Sequence, residues 1–297
     1  MRLKTLLTGL AASFAGGAAA AQDAAQPLRI IGQPQPGGIG FQPAATGIAR
    51  DLHWLDGMVL IIITAITLFV VALLAIVILR YNSRRNATPS TFTHNTPVEV
   101  AWTVIPIVIL VFIGAFSLPA LFKQQEIPEA EVLVKATGHQ WYWTHEYPDE
   151  GIGYDMFMIG SDAGNYLTPE VSEQLAAAGY TDQQFLLATD TALVVPTGKV
   201  VVVQVTADDV IHSWAMPAFG VKQDGVPGRL AQLWFEVSEG MEGIYFGQCS
   251  ELCGLSHAYM PITVKAVSQA DYDAWLAAVK EAGDYVDPGA LQVAANQ

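Results

Sequence analysis

The sequence predicts a two-helix membrane hairpin joined to an all-β sandwich or barrel. Two 22-residue stretches, 58–79 and 101–122, carry no charged residue. Beyond them the apolar residues fall in short β-branched or aromatic runs separated by Pro, Gly and Asp, the pattern of an antiparallel β domain. The only two cysteines of the chain, Cys249 and Cys253, lie between two of those runs in the string CSELCGLSHAYM.

At the N-terminus, Arg2 and Lys4 precede the apolar stretch Leu6 to Phe14 and the small-residue tract AGGAAAA that ends at Ala21. This is the layout of a secretory signal peptide over 1–21, cleaved before Gln22; its apolar core is short for a retained anchor. Residues 22–50, rich in Pro and Gly, read as an irregular exported arm. The hairpin is expected over 51–123. At a rise of about 1.5 Å per residue each apolar stretch reaches roughly 33 Å, enough to cross the hydrocarbon core. Arg80, Arg84 and Arg85 lie between the two stretches, with no acid before Glu99. Positive charge marks the cytoplasmic side, so both chain ends are expected outside. Thr96-Pro97-Val98-Glu99 reads as an N-cap, a first-turn proline and a capping-box glutamate at the start of the second span, and Pro106 is expected to kink it.

The outer domain is expected over 124–267. Its strand runs are 132–147, 193–207, 229–237, 243–249 and 261–267, with a helical insertion over 168–178. A closing helix is expected from Ser268, a cap with Asp271 three residues on, to about Ala282, within a C-terminal helix and tail over 268–297. From Lys123 onward the chain holds 24 acidic against 7 basic residues, a net charge of −17. Such a surface disfavours nucleic acid and anionic lipid as partners and steers a basic protein toward it.

Cys249, Cys253, His257 and Met260 form a soft donor set that suits copper better than magnesium or calcium. His212, in VIHSWAMP at the end of a strong strand, supplies a second imidazole. A mononuclear blue-copper site uses two His, one Cys and a weak Met, so this set has one thiolate too many. The economical reading is two copper ions bridged by both thiolates, with His212 and His257 on one metal each and Met260 axial. A disulfide in an oxidising compartment and a structural zinc site are the alternatives, although zinc rarely takes methionine.

The motifs FTHNTPVEVAWTVIP, GHQWYW, VIHSWAMPAFGVKQD, VPGRL and CSELC with its His and Met resemble subunit II of haem-copper cytochrome c oxidase, of the alphaproteobacterial aa3 kind. The resemblance covers nearly all of the expected mature chain. It implies a cupredoxin-like sandwich carrying a dinuclear copper centre, CuA, with His212, Cys249, Cys253, His257 and Met260 as ligands and the Glu251 carbonyl as a further one. It implies that the Glu251 carboxylate reaches a magnesium ion shared with subunit I, and that Arg229 lies near the haem propionates. Trp141 would receive the electron from cytochrome c, docked on Glu146, Asp155, Asp190 and Asp209. Glu99 would stand at the mouth of a proton path.

On this resemblance the chain passes electrons to haem a of subunit I, where haem a3 and CuB reduce oxygen to water and protons are pumped. Subunit III is a further expected partner. The expected location is the bacterial inner membrane with both termini periplasmic. The competing readings are a metal-free quinol-oxidase scaffold subunit and a nitrous oxide reductase-like CuA protein. No CxxCH is present, so no fused haem c is expected. Within GHQWYW, strand alternation puts Trp141 and Trp143 on one face and Tyr142 on the other.

Overall fold

The computed structural model describes residues 28–289. The expected signal peptide, the first residues of the arm and the last residues of the tail lie outside the described residues.

Two long helices, α1 (Gly47–Arg80) and α2 (Thr96–Gln125), form the hairpin, and most of their apolar side chains are exposed, apart from the buried Ile48 and Ala49 at the start of α1. They meet through Trp54 against Phe116, rings 5.5 Å apart, and through Lys123 and Asp51 at 2.6 Å. α1 starts four residues before the expected boundary at 51. Its N-cap is Thr46, whose Oγ1 accepts from the Ala49 N–H at 3.0 Å and donates to the Phe219 carbonyl at 2.7 Å. One hydroxyl therefore both caps the membrane helix and fastens it to the sandwich.

The cap of α2 is displaced by one residue from the sequence reading. Asn95, not Thr96, holds the cap position, and its Oδ1 accepts from the Val98 N–H at 3.3 Å. Glu99 reaches back to the Asn95 N–H at 2.9 Å, closing the reciprocal box.

The outer domain is a sandwich of two sheets. One runs β4 (Ile152–Met156), β3 (Tyr142–Tyr147), β2 (Val132–His139), β6 (Val200–Ala207), β9 (Ala231–Glu236). The other runs β5 (Leu193–Pro196), β11 (Pro261–Val267), β10 (Gly243–Cys249), β7 (His212–Met216), β8 (Val221–Gly225). The sheets are mixed rather than purely antiparallel: β2 runs parallel to β6, and β11 parallel to β5. Both pairs join strands far apart in sequence, where a long crossover can reverse the chain's direction.

A third parallel pair corrects the reading of the arm. Ile30–Gly32 forms β1 alongside the start of β10, with Ile30 opposite Ile244, while β7 pairs only with the end of β10 at Gln248 and Cys249. The short strand thus covers an edge that β7 leaves open.

Alternation fills the core. Trp143, His145 and Tyr147 point inward from β3, and Val201, Val203 and Val205 from β6. Phe235 joins them from β9 of the same sheet, and Trp214, Phe219 and Tyr245 complete the core from the other side. The insertion carries α3 (Pro169–Ala177), capped by Thr168, and it buries Val171 and Leu175 in a satellite cluster with Ile244 and Phe246. α4 (Gln269–Ala282) is capped by Ser268, which accepts from the Asp271 N–H, and it drives Trp275 into the core.

Candidate metal centre

The loop over residues 250–260 joins β10 to β11 and folds back over the end of β7. Cys249 is the last residue of β10 and pairs with Trp214, while His212 opens β7, so two adjacent strands deliver the first two donors. Cys249 Sγ lies 3.8 Å from Cys253 Sγ and 3.9 Å from His212 Nδ1. Cys253 Sγ lies 3.5 Å from His257 Nδ1 and 3.4 Å from Met260 Sδ. The Glu251 carbonyl is 3.3 Å from Cys249 Sγ. The five side chains expected as ligands therefore converge, and with them the one backbone carbonyl.

The donors fit copper. Both cysteines are free and buried, and a sulfur separation of 3.8 Å is far beyond a disulfide bond of about 2.0 Å. It is also shorter than two metal–thiolate bonds of about 2.3 Å each, so one ion can touch both sulfurs. His212 is fully buried and Met260 nearly so, which keeps water from the soft donors. Burial opposes ionisation of Cys249, but hydrogen bonds from His212 and from the backbone at Glu251 and Ser213 outweigh it and lower its thiol pKa. Burial, followed by the charge of Cys249, pushes Cys253 the other way. A cation between the sulfurs removes that conflict, because a coordinated thiol is deprotonated outright.

The His212 ring rests on bare backbone. A Cβ on Gly138 would sit 2.8 Å from His212 Cγ and 2.9 Å from its Cδ2. Trp143 meets the imidazole edge-on, ring centres 5.9 Å apart. The outer nitrogen, Nε2, lies 2.8 Å from Asp209 Oδ1.

Trp141 does not lie in a strand. It and Gln140 form the two-residue turn between β2 and β3, so the shared face with Trp143 is not one of strand alternation. The turn is fastened to the metal loop: Gln140 Nε2 donates to the Cys253 carbonyl at 2.9 Å and Trp141 Nε1 to the same oxygen at 3.3 Å. Tyr142 does point away from Trp143, stacked between His139 and Phe157 at 4.4 and 4.5 Å.

The four expected docking acids are not equivalent. Asp155 is exposed and accepts from Thr144 Oγ1 at 2.6 Å. Asp190 Oδ1 accepts two backbone N–H groups, from Phe157 and Thr191, both at 2.8 Å. Glu146, farther along β3 from Trp141, pairs with Lys135 at 2.6 Å. Asp209 turns Oδ1 onto His212 Nε2 at 2.8 Å, with its side chain 31% exposed. The Glu251 carboxylate is exposed beside Leu252 and Leu255, which are 77% and 90% exposed and which the sequence reading passed over. Arg229 is exposed, with Nη2 3.5 Å from the Asp224 carbonyl. Glu99 sits in the first turn of α2, directly after the loop over residues 81–95 that joins the two helices.

Fold and site together define a membrane-anchored β-sandwich whose end carries a buried thiolate, imidazole and thioether cluster. The family described as cytochrome c oxidase subunit II, periplasmic domain, matches residues 132–267, and its transmembrane-domain counterpart matches 34–120. The chain is 63% identical over 281 residues to the cytochrome c oxidase subunit 2 of Cereibacter sphaeroides, covering 93% of this chain and 92% of that one. It is 43% identical over 246 residues to a probable cytochrome c oxidase subunit 2 of Rickettsia bellii, covering 82% and 85%. The solved periplasmic domain of subunit II (CoxB) of Bradyrhizobium japonicum is 40% identical and covers 52% of this chain and 97% of its own, with a TM-score of 0.43.

The chain belongs to the cytochrome c oxidase subunit II family. It is therefore a component of a respiratory oxidase, an inner-membrane protein with two spans that partners subunit I. Family membership implies copper, and the cluster of His212, Cys249 and Cys253 is where the donors stand.

Proposed function

We propose that this chain receives electrons from cytochrome c and passes them to haem a of subunit I. The observation that carries the reading is the pair of free, buried thiols 3.8 Å apart with His212, His257 and Met260 around them. Cys249 and Cys253 would hold the copper, which when bound would supply a one-electron redox couple and no bond-breaking chemistry. His212 and His257 would hold one ion each through Nδ1. Met260 and the Glu251 carbonyl would be the weaker donors of the set.

The protein's own residues do the rest. The Trp141 indole, hydrogen-bonded to the Cys253 carbonyl, offers a half-buried aromatic contact between the docking surface and the ligand loop. The net charge of −17 from Lys123 onward draws a basic cytochrome c, with the exposed Asp155 and Asp190 among its acids. The exposed Glu251 carboxylate would hold the magnesium ion shared with subunit I. Oxygen reduction and proton pumping belong to subunit I, with subunit III as a further partner. Glu99 would feed protons from the cytoplasmic side while capping α2, the termini being periplasmic.

Copper loading of the detergent-solubilised full chain tests the reading. A purple species with a seven-line paramagnetic signal is expected, one electron shared by two coppers. A four-line signal, or a silent sample with a Cys249–Cys253 disulfide by mass, would sink it.

A further inference from the structure

We propose that the segment over residues 157–190, between β4 and β5, extends the docking face, and that its cleft receives a lysine side chain of the basic cytochrome. The proposal rests on the functional reading above and deepens it.

The cleft continues the surface around Trp141. Tyr142, the residue after that indole, stacks on Phe157 with ring centres 4.5 Å apart and planes 22° from parallel. Phe157 opens the segment, is 37% exposed and lines the cleft. Asp190 closes the segment and lines the same cleft. An aromatic strip therefore runs from the Trp141 turn to the cleft wall.

The wall is built before any partner arrives. The Phe157 N–H donates to Asp190 Oδ1 at 2.8 Å, and the Asp190 N–H donates back to the Phe157 carbonyl at 3.0 Å. Met158 bridges Thr189, and the Ile159 N–H donates to the Ala188 carbonyl at 3.0 Å. α3, which supplies Gln174 and Ala177 to the lining, is seated by the buried Val171 and Leu175. Little conformational freedom is left for binding to remove.

The chemistry of the cleft selects its occupant. In a volume of about 620 Å³, Phe157, Met158 and Ala177 give apolar wall, and Asp162 and Asp190 give two carboxylates. None of the described residues that line it is cationic. Asp190 Oδ1 is taken by two N–H groups, while Oδ2 takes no hydrogen bond among the described residues. A purely apolar ligand would leave both carboxylates uncompensated, and a bare cation would leave the apolar wall unused. A lysine answers both, laying its methylenes on the wall and its ammonium near the acids. A second copy of this chain, with −17 on the same domain, would be repelled. The loop that carries Asp162 also exposes Tyr166 and Leu167, by 73% and 45%, apolar surface for a partner to cover.

The test uses the assembled oxidase, turning over a lysine-rich c-type cytochrome at several ionic strengths. Ala177→Trp fills the cleft from an exposed helix position, and Asp162→Asn removes one carboxylate. Glu281→Gln, on α4 and outside the lining, controls for net charge. Ala177→Trp is expected to raise KM about 5-fold or more with kcat unchanged. Asp162→Asn should raise KM about 2- to 5-fold at low salt and flatten its salt dependence. Glu281→Gln should leave both near the wild-type values. If the two cleft variants match Glu281→Gln in KM and salt dependence, the proposal is overturned.

Carbodiimide coupling, which joins a carboxylate to a lysine in contact with it, separates the proposal from the reading beneath it. A link from Asp162 to a cytochrome lysine, mapped by mass spectrometry, is expected. An oxidase that turns over the cytochrome but links only through other acids sinks the proposal and leaves the electron-transfer reading standing. An oxidase that takes no electrons from the cytochrome fails that reading. A link at Asp162 would then still uphold the cleft as a docking site, and its absence would fail both.

Discussion

Replacing Gly138 with alanine is the sharpest way to probe how closely the ligand imidazole is seated. Gly138 lies near the end of β2, paired with Trp143 on one side and Ala207 on the other, in backbone that any residue can adopt. On chain entropy alone the substitution should stabilise by about 0.4–1 kcal/mol. The added methyl, however, would lie 2.8–2.9 Å from three atoms of His212. That side chain cannot retreat, because it is held at Nε2 by Asp209 and flanked by Trp143. Overpacking of this kind costs about 1–3 kcal/mol, so the clash outweighs the entropy gain by roughly 1–2 kcal/mol. In a domain of this size that lowers the melting temperature by about 2–8 °C. Thermal unfolding of the solubilised chain measures the loss, and the spectrum of the copper-loaded chain should shift with the displaced ring. A variant that melts at the wild-type temperature with an unchanged spectrum would refute the seating described for His212.

Buried groups and helix ends supply further tests. His145 is fully buried, its Nε2 accepting from Trp214 Nε1 at 3.2 Å, and burial holds its pKa down at about 3 from the ordinary 6.5. The unfolded chain binds a proton there that the folded chain refuses, so its stability contribution is full above pH 6.5 and is lost as pH falls toward 3. Between pH 7 and pH 5 the loss should be about 2 kcal/mol, and denaturant titrations of wild type and His145→Phe at both values should show a smaller pH dependence in the variant. Glu99→Gln keeps a carboxamide oxygen for the Asn95 N–H but cannot carry a proton, so it should leave helix stability within about 0.5 kcal/mol while slowing oxidase turnover. Unimpaired turnover would leave Glu99 as a cap alone. Ile31→Asp should cost about 1–3 kcal/mol, because β1 packs this side chain against the core, and an unchanged denaturation midpoint would show that the strand is dispensable.

The parts of the fold that were legible in the sequence are those written in local pattern. Uncharged 22-residue stretches can only be long apolar helices, and Ser268 announces its helix because a hydroxyl before a helical run accepts the first free N–H groups. The donors of CSELCGLSHAYM were legible because soft atoms at close spacing have few other uses. What stayed hidden depends on distant partners. β1 is a strand only because β7 leaves half of β10 unpaired, which nothing in the Pro- and Gly-rich arm records. The turn at Gln140 and Trp141 lacks the Asn-Gly or Asp-Gly signal of a tight hairpin, so GHQWYW read as one strand. Asp208 and Asp209 are chemically the same in sequence, and only the fold decides that the first bonds His139 and the second His212.

The proposed electron relay also needs a site that changes little between oxidation states, and its surroundings bear on that requirement. Cys249 sits at the end of a strand hydrogen-bonded on both sides, to β7 and β11, and its own N–H donates to the Met260 carbonyl at 3.2 Å. Ser250 N–H donates to the Ser213 carbonyl at 3.0 Å, so the loop is pinned next to one ligand from the backbone of the strand that carries another. The Cys253 carbonyl takes two side-chain donors from the turn, and Gly254 follows with a φ of +123°, a conformation that lets the chain leave that carbonyl without a Cβ meeting the indole ring. A loop tied at both ends and at its middle cannot relax far when one electron arrives or leaves. That rigidity favours transfer through the site over exchange of its metal, and it separates a relay from a copper carrier built on the same donor atoms.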